Sequence, residues 1–252
     1  MLSKVFGIGW DVGGWMGNNH GVAICEWDPA TTTIDWIGTP TEIAIPENGN
    51  LSLQHLIRAV DPSFTFDASD HNQHIIGVDA PLGYPKTFIQ FINGEINHVD
   101  KPEKEIHNPL AYRYTDRVIY KTQAKKPLSA VFDRIGNNTT VAMSHAKMWE
   151  KRNGFKIYPM AKQEKADKKI IIEVYPALIK ASKTSEAHAN LKPYLPTDVK
   201  PGTDAYDACI CALYAVAFGA NDAPLPNLAH PPVHAKEAVK EEGWIYYFEK
   251  GE

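Results

Sequence analysis

Cysteine is scarce in this chain: Cys25, Cys209 and Cys211 are the three among 252 residues. An odd count excludes a fully paired disulfide framework. Cys209 and Cys211 stand two apart on one expected helix and do not face each other, and no zinc-ribbon spacing is present. Free thiols in a reducing cytoplasm are therefore expected, where the sequons at Asn137 and Asn138 carry no glycan. No apolar run is long enough to span a bilayer. The opening "MLSKVFGIGWDVGG" lacks a basic n-region and a small-residue cleavage site, so it reads as a first strand rather than a signal peptide. There is no P-loop, and "GIGWDVGG" lacks the spacing of a dinucleotide-binding fingerprint. "HNQH" (71–74) has no partner acids or cysteines at zinc spacing and reads as loop. His20 and His145 are expected to be structural.

Net positive charge is lacking too, at −4, which argues against a polyanionic partner until the distribution is considered. Residues 101–169 hold 16 of the 26 Lys and Arg and 7 of the 30 Asp and Glu, a surplus of +9 against −13 elsewhere. A basic middle on an acidic frame suits contact with a phosphate chain, or else forms a solvated surface segment.

What is present is an alternation of strands and helices. Residues 4–14, 20–28 and 32–38 read as three antiparallel strands joined by short glycine- and asparagine-rich turns. In "SLQHLIRAV" (52–60), Leu53, Leu56, Ile57 and Val60 have helical spacing, and Ser52 is placed to cap. "HIIGVD" (74–79) is an apolar run without polar alternation, suited to a strand buried on both faces. A polar, basic stretch of about 85–169 follows, whose clearest helix is 140–152. "KKIIIEVYPALI" (168–179) begins with a strand. "GTDAYDACICALYAVAFGA" (202–220) is a helix apolar almost all round, and "GWIYYF" (243–248) reads as a late strand after a proline-rich loop. The order implies an α/β fold with a mixed sheet.

Three of these strands end in an acid: Asp11, Asp79 and Glu173. Asp204 and Asp207 open the apolar helix. Ligands in open α/β sheets bind beyond strand ends, and a buried acid costs several kcal/mol unless paired or ligated. Five such acids point to a shared hard cation, Mg²⁺ or Mn²⁺, held by oxygen ligands. Four of them also have a plainer reading: Asp204 as N-cap with Asp207 near N3, Asp11 as a turn residue, Glu173 as a salt-bridge partner; Asp79 is the hardest to explain that way. In "NPLAYRYTDRVIYKTQAKK" (108–126), Tyr112, Arg113, Arg117, Lys121, Lys125 and Lys126 mix aromatic and basic groups. That mixture suits base stacking and phosphate binding, or a surface helix with its tyrosines packed inward.

"GWDVGGW", "IGVDAPLGYP", "YRYTDRVIY", "EVYPA" and "DAYDACICALYAVA", in that order, resemble the DUF429 family of predicted nucleases. The last motif also resembles the final helix of RuvC-like resolvases. The resemblance implies one ribonuclease H-like domain over residues 1–252: a five-stranded mixed sheet with strands one to three antiparallel, helices on both faces, and an elaboration at 86–167 between the fourth and fifth core strands. It implies metal-dependent hydrolysis of nucleic acid, with Asp11, Asp79 and Asp207 as the metal-binding acids and Asp204 as a fourth. The glutamate that ribonuclease H proper carries on its first helix has no counterpart in "SLQHLIRAV". Two other readings stay open: an ATP-dependent phosphotransferase of the actin and sugar-kinase type, with "DVGGWMGNN" holding phosphates, and a non-catalytic nucleic-acid-binding protein of the same fold.

Overall fold

The computed structural model describes residues 3–65, 71–132 and 135–249; both ends of the expected 1–252 domain lie outside the described residues. β1 (Val5–Asp11), β2 (His20–Asp28) and β3 (Thr33–Ile43) form the expected antiparallel meander. α1 (Leu53–Val60) follows, with Ser52 accepting from the His55 N–H at its start. β4 (Gln73–Asp79) then enters parallel to β1.

The polar middle is richer than its sequence suggested. It holds α2 (Lys86–Ile92), α3 (Tyr114–Gln123), α4 (Ile135–Asn153) and β5 (Lys156–Tyr158). β6 (Lys169–Val174) pairs parallel with β4. α5 (Asp204–Gly219), β7 (Leu228–Ala229), α6 (Lys236–Glu242) and β8 (Ile245–Phe248) complete the chain.

Among the described residues the sheet is mixed and has eight strands in the order β3-β2-β1-β4-β6-β8-β7, with β5 also on β6. The expected count of five is corrected by β5, β7 and β8. β5 and β7 have only three and two residues, too short to show a pattern of their own. β5 pairs with Ile170–Ile172 of β6, and β8 pairs with the next two residues, Glu173 and Val174.

Alternation along the strands sorts the core into two layers. Ile8, Trp10, Val22, Ile24, Ile76 and Val78 pack with α1 and α4 on one face. Val5, Ala23, Cys25, Ile75, Ile170 and Ile172 pack with α5 on the other. α5 is apolar all round because its far side is covered as well, by Ile179, Ala187, Leu191 and Leu195. A helix buried on both sides has no polar face to show.

α5 also lies unusually close to the sheet. A Cβ placed on Gly9 would stand 1.8 Å from the Ala208 carbonyl oxygen, and one on Gly77 would stand 2.3 Å from that of Cys211. Gly21 meets the Asp204 carbonyl in the same way, at 1.9 Å. Strand backbone therefore touches helix backbone with no side chain between. Gly9→Ala is expected to force the layers apart and cost about 1–3 kcal/mol, the usual penalty of overpacking. Urea unfolding of Gly9→Ala beside the wild-type chain measures that cost.

An acidic cluster at the strand ends

The close approach of α5 builds the site. Asp11 continues the face of Gly7 and Gly9 on β1, and Asp79 that of Gly77 on β4, so both carboxylates turn toward α5. The two are direct neighbours in the parallel register, Asp11 opposite Asp79. Across the other ladder Asp11 faces Gly21, whose missing side chain admits the first residue of α5. The first turn of α5 carries Asp204 and Asp207. Thr203, not Asp204, is the N-cap, its hydroxyl accepting from the Tyr206 N–H at 3.2 Å. That corrects the capping reading: Asp204 is already helical, and the cap is filled without it. The positive end of the helix still favours acids at this end.

Four aspartates thus gather at one partly buried end of the sheet, and three of them have raised carboxyls. Burial pushes the Asp79 carboxyl up to about 8, with Asp207 adding to the rise and Lys180 opposing it. Asp11 is driven well above the usual carboxylate range, first by burial and then by Asp79, Asp207 and Asp204. The approach of the Asp204 carboxylate adds to the rise at Asp11. Asp204 accepts from Asn19 Nδ2 at 2.8 Å on its other side. Asp207 is raised by burial and held down by an ion pair with the Lys180 ammonium.

Lys180 carried no signal in the sequence. It follows "EVYPALI" as one lysine among many, yet its side chain is 1% exposed and ends on Asp207. Lys183, exposed, also acts on Asp79 and Asp207 through its charge.

Glu173 was expected among the metal-binding acids, and the structure corrects this. It lies in the neighbouring strand, one register step from Asp79, but its carboxylate points into a separate network. Arg113 Nη1 and Nη2 donate to its two oxygens at 2.7 and 2.6 Å, and the Leu82 N–H donates at 2.9 Å. Arg113 also binds Asp116 through Nη2 at 3.0 Å and Nε at 3.2 Å. The salt-bridge reading of Glu173 is the one realised. A small pocket of about 40 Å³ separates the two systems, lined by Asp79, Arg113, Glu173, Tyr175 and Leu128 among others.

The proposed substrate-binding residues divide. Arg113 is 1% exposed and its guanidinium is fully engaged, so it does not meet a phosphate. Tyr112 is buried too, its hydroxyl donating to Glu105 at 3.2 Å. Both face inward because α3 starts only at Tyr114, so Arg113 precedes the helix and shares no helical face with Arg117 and Lys121. Arg117 is half-buried and donates to the Tyr112 carbonyl at 2.9 Å. Lys121 and Lys126 are exposed; Lys126 pairs with Glu105 at 2.7 Å. Lys125 alone of the set lies by the acids. Its ammonium donates to the Ala177 carbonyl and sits 5.5 Å from the Tyr175 ring centre, within electrostatic reach of Asp79 and Lys180.

His20 and His145 are structural, as expected. His20 Nδ1 accepts from the Gly13 N–H at 3.1 Å, and His145 Nε2 accepts from the Leu51 N–H at 3.2 Å. The Gly13 amide is thereby committed to His20 and not turned outward toward a phosphate.

Among the described residues, no three His, Cys, Asp or Glu side chains already converge as a metal cage. Asp207 is held by Lys180 and Asp204 by Asn19. The donor set itself is all carboxylate oxygen, which suits a hard dication. The ammonium on Asp207 stands where such a charge is wanted. The fold and site define an α/β protein with a partly buried acidic cluster at parallel strand ends. No family model matches the chain, and neither a curated protein nor a solved structure does. Among the described residues, no helix is long and apolar enough to cross a membrane.

Proposed function

We propose that the protein is a divalent-cation-dependent phosphodiesterase acting on nucleic acid, built on a ribonuclease H-like core. The observation that carries this reading is the pairing of Asp11 with Asp79 at the ends of adjacent parallel strands, facing Asp204 and Asp207 on α5. Among the described residues one lysine contacts these four partly buried acids, and a dication would relieve the deficit. The strand order β3-β2-β1-β4-β6, antiparallel then parallel, supports the core assignment. So does the resemblance of the five motifs to the DUF429 family.

In this reading Asp11, Asp79 and Asp207 hold Mg²⁺ or Mn²⁺, with Asp204 as a fourth carboxylate. When bound, the ion supplies Lewis-acid polarisation of a phosphoryl oxygen and a water acidic enough to attack at neutral pH. The chain's own part is to fix the acids on backbone elements that cannot slide, and to exclude bulk water from between them. Lys125 and Lys183 flank the cluster and attract the phosphodiester; Lys121 extends the positive surface outward. Arg113, Tyr112 and Glu173 hold the floor rigid.

The test is cleavage of branched, hybrid and single-stranded substrates with Mg²⁺ or Mn²⁺. At least one substrate should be cut by the wild-type chain and not by Asp79→Asn. Equal inertness of both on every substrate would overturn catalysis. Lys125→Ala should weaken substrate binding about two- to tenfold at low salt and little at high salt, as the loss of one phosphate contact does. Fluorescence anisotropy with a labelled single strand, read at two salt concentrations, checks it.

A further inference from the structure

We infer that Lys180 is a built-in counter-ion whose ammonium holds the place beside Asp207 that a divalent cation would take, so that cation binding must displace it. This rests on the divalent-cation reading of the site above.

Three observations carry it. The Lys180 side chain is 1% exposed, yet it ends on a carboxylate of the cluster rather than in water. A buried ammonium is tolerated only with a matching anion, so its placement answers a charge already there. Its other acceptor, the Lys183 carbonyl at 3.4 Å, lies near the limit of a useful bond, so Asp207 is the main tether. The neighbouring cations make no such contact: Lys125 is turned to Ala177 and the Tyr175 ring, and Lys183 is exposed and acts on the acids only through its charge.

The backbone at Lys180 is fixed by a bridge to Ala187, within the segment that covers α5. Displacement therefore falls to the side chain, whose flexible four-carbon stem can swing without moving the chain. An ammonium on Asp207 Oδ1 weakens that carboxylate's pull on a dication, and the two cations repel each other at contact distance, so they compete for the place. Two things follow. The protein without a cation is kept foldable by Lys180, and affinity for the cation is weaker than the carboxylates alone would give. A displaced Lys180 is also left at the site with free donors for an arriving anion.

The experiment is calorimetric titration of MnCl₂ into the full chain, for wild type, Lys180→Met, Lys180→Gln and, as control, Lys151→Ala, exposed on α4 across the sheet from α5, with thermal unfolding of each with and without Mn²⁺. Lys180→Met and Lys180→Gln should bind Mn²⁺ about tenfold or more tightly than wild type. They should melt lower without the ion and gain more from it. Lys151→Ala should stay near wild type. A Lys180→Met chain that folds only with Mn²⁺ present would support the inference, since the ion then replaces the lysine. Equal or weaker Mn²⁺ binding by both Lys180 variants would overturn it while leaving the cation site standing. Failure of both variants to fold even with Mn²⁺ would also overturn it, since the lysine would then be needed for reasons the ion cannot meet. No Mn²⁺ binding by any of the four chains would overturn the cation reading itself, and the inference with it.

Discussion

Asp79→Asn is expected to abolish cleavage and at the same time make the cation-free protein harder to unfold. The two effects share one cause. Asp79 is buried beside Asp11 and within reach of Asp207, and these surroundings hold its carboxyl up at about 8. A carboxyl raised in the folded state binds its proton more tightly there than in the unfolded chain. Its stabilising share is complete below the unfolded value near 4 and drains away as pH rises toward 8. Each unit of separation is worth about 1.4 kcal/mol, so the deficit reaches several kcal/mol at pH 8. Asparagine keeps the shape and removes the charge. The difference in unfolding free energy between variant and wild type should be near zero at pH 4 and grow through pH 8, with the variant the more stable. Urea unfolding at pH 4, 6 and 8 in EDTA reads it directly. A flat difference would mean that the acids do not press on one another. In Mg²⁺ the order should narrow or reverse, because the wild-type chain gains by binding the ion and the variant does not.

Arg113→Met should be the most destabilising single change in the protein. Its guanidinium spans Glu173 and Asp116, both buried, with a further bond to the Glu242 carbonyl at 3.3 Å. Removing it strands two carboxylates without a cation, a loss of about 3–5 kcal/mol. Lysine should not rescue it, since a point charge cannot reproduce a fork that serves two acids. Pairing the change with Glu173→Gln should recover part of the loss, because one stranded charge is then gone. Lys121→Ala, on the exposed face of α3, should stay within about 0.5 kcal/mol. Thermal and urea unfolding of the four variants measure these differences. Equal stability of Arg113→Met and wild type would show the triad to be energetically idle.

The acids were legible in the sequence because a charge inside an apolar run conflicts with its surroundings. Asp79 after "IIGV" and Asp207 within "AYDACICA" stand out for that reason, and the structure brings them together with Asp11 and Asp204. Glu173 stood out in the same way and resolved differently, because nothing in "IIIEVYP" tells of an arginine 60 residues earlier in the chain. Arg113 and Tyr112 looked like surface groups since the start of α3 has no Ser, Thr, Asp or Asn at its cap. The cap there is Arg113 itself, whose own N–H is held by Asp116 at 2.8 Å. β5, β7 and α6 escaped because two- to seven-residue elements carry too few periods to be read. Lys180 escaped because its role depends on a carboxylate 27 residues later and on the covering segment that shuts it from water.

The glycine contacts beneath α5 bear on how this site can change over generations. Where two layers are spaced by side chains, a swap of leucine for valine tunes their gap by fractions of an ångström. Here main chain rests on main chain, and no smaller residue remains to be chosen. The span across the four carboxyls is therefore a fixed gauge. Descendants of this sequence can adjust their chemistry only by exchanging what lines the rim, while the ruler underneath stays the same length.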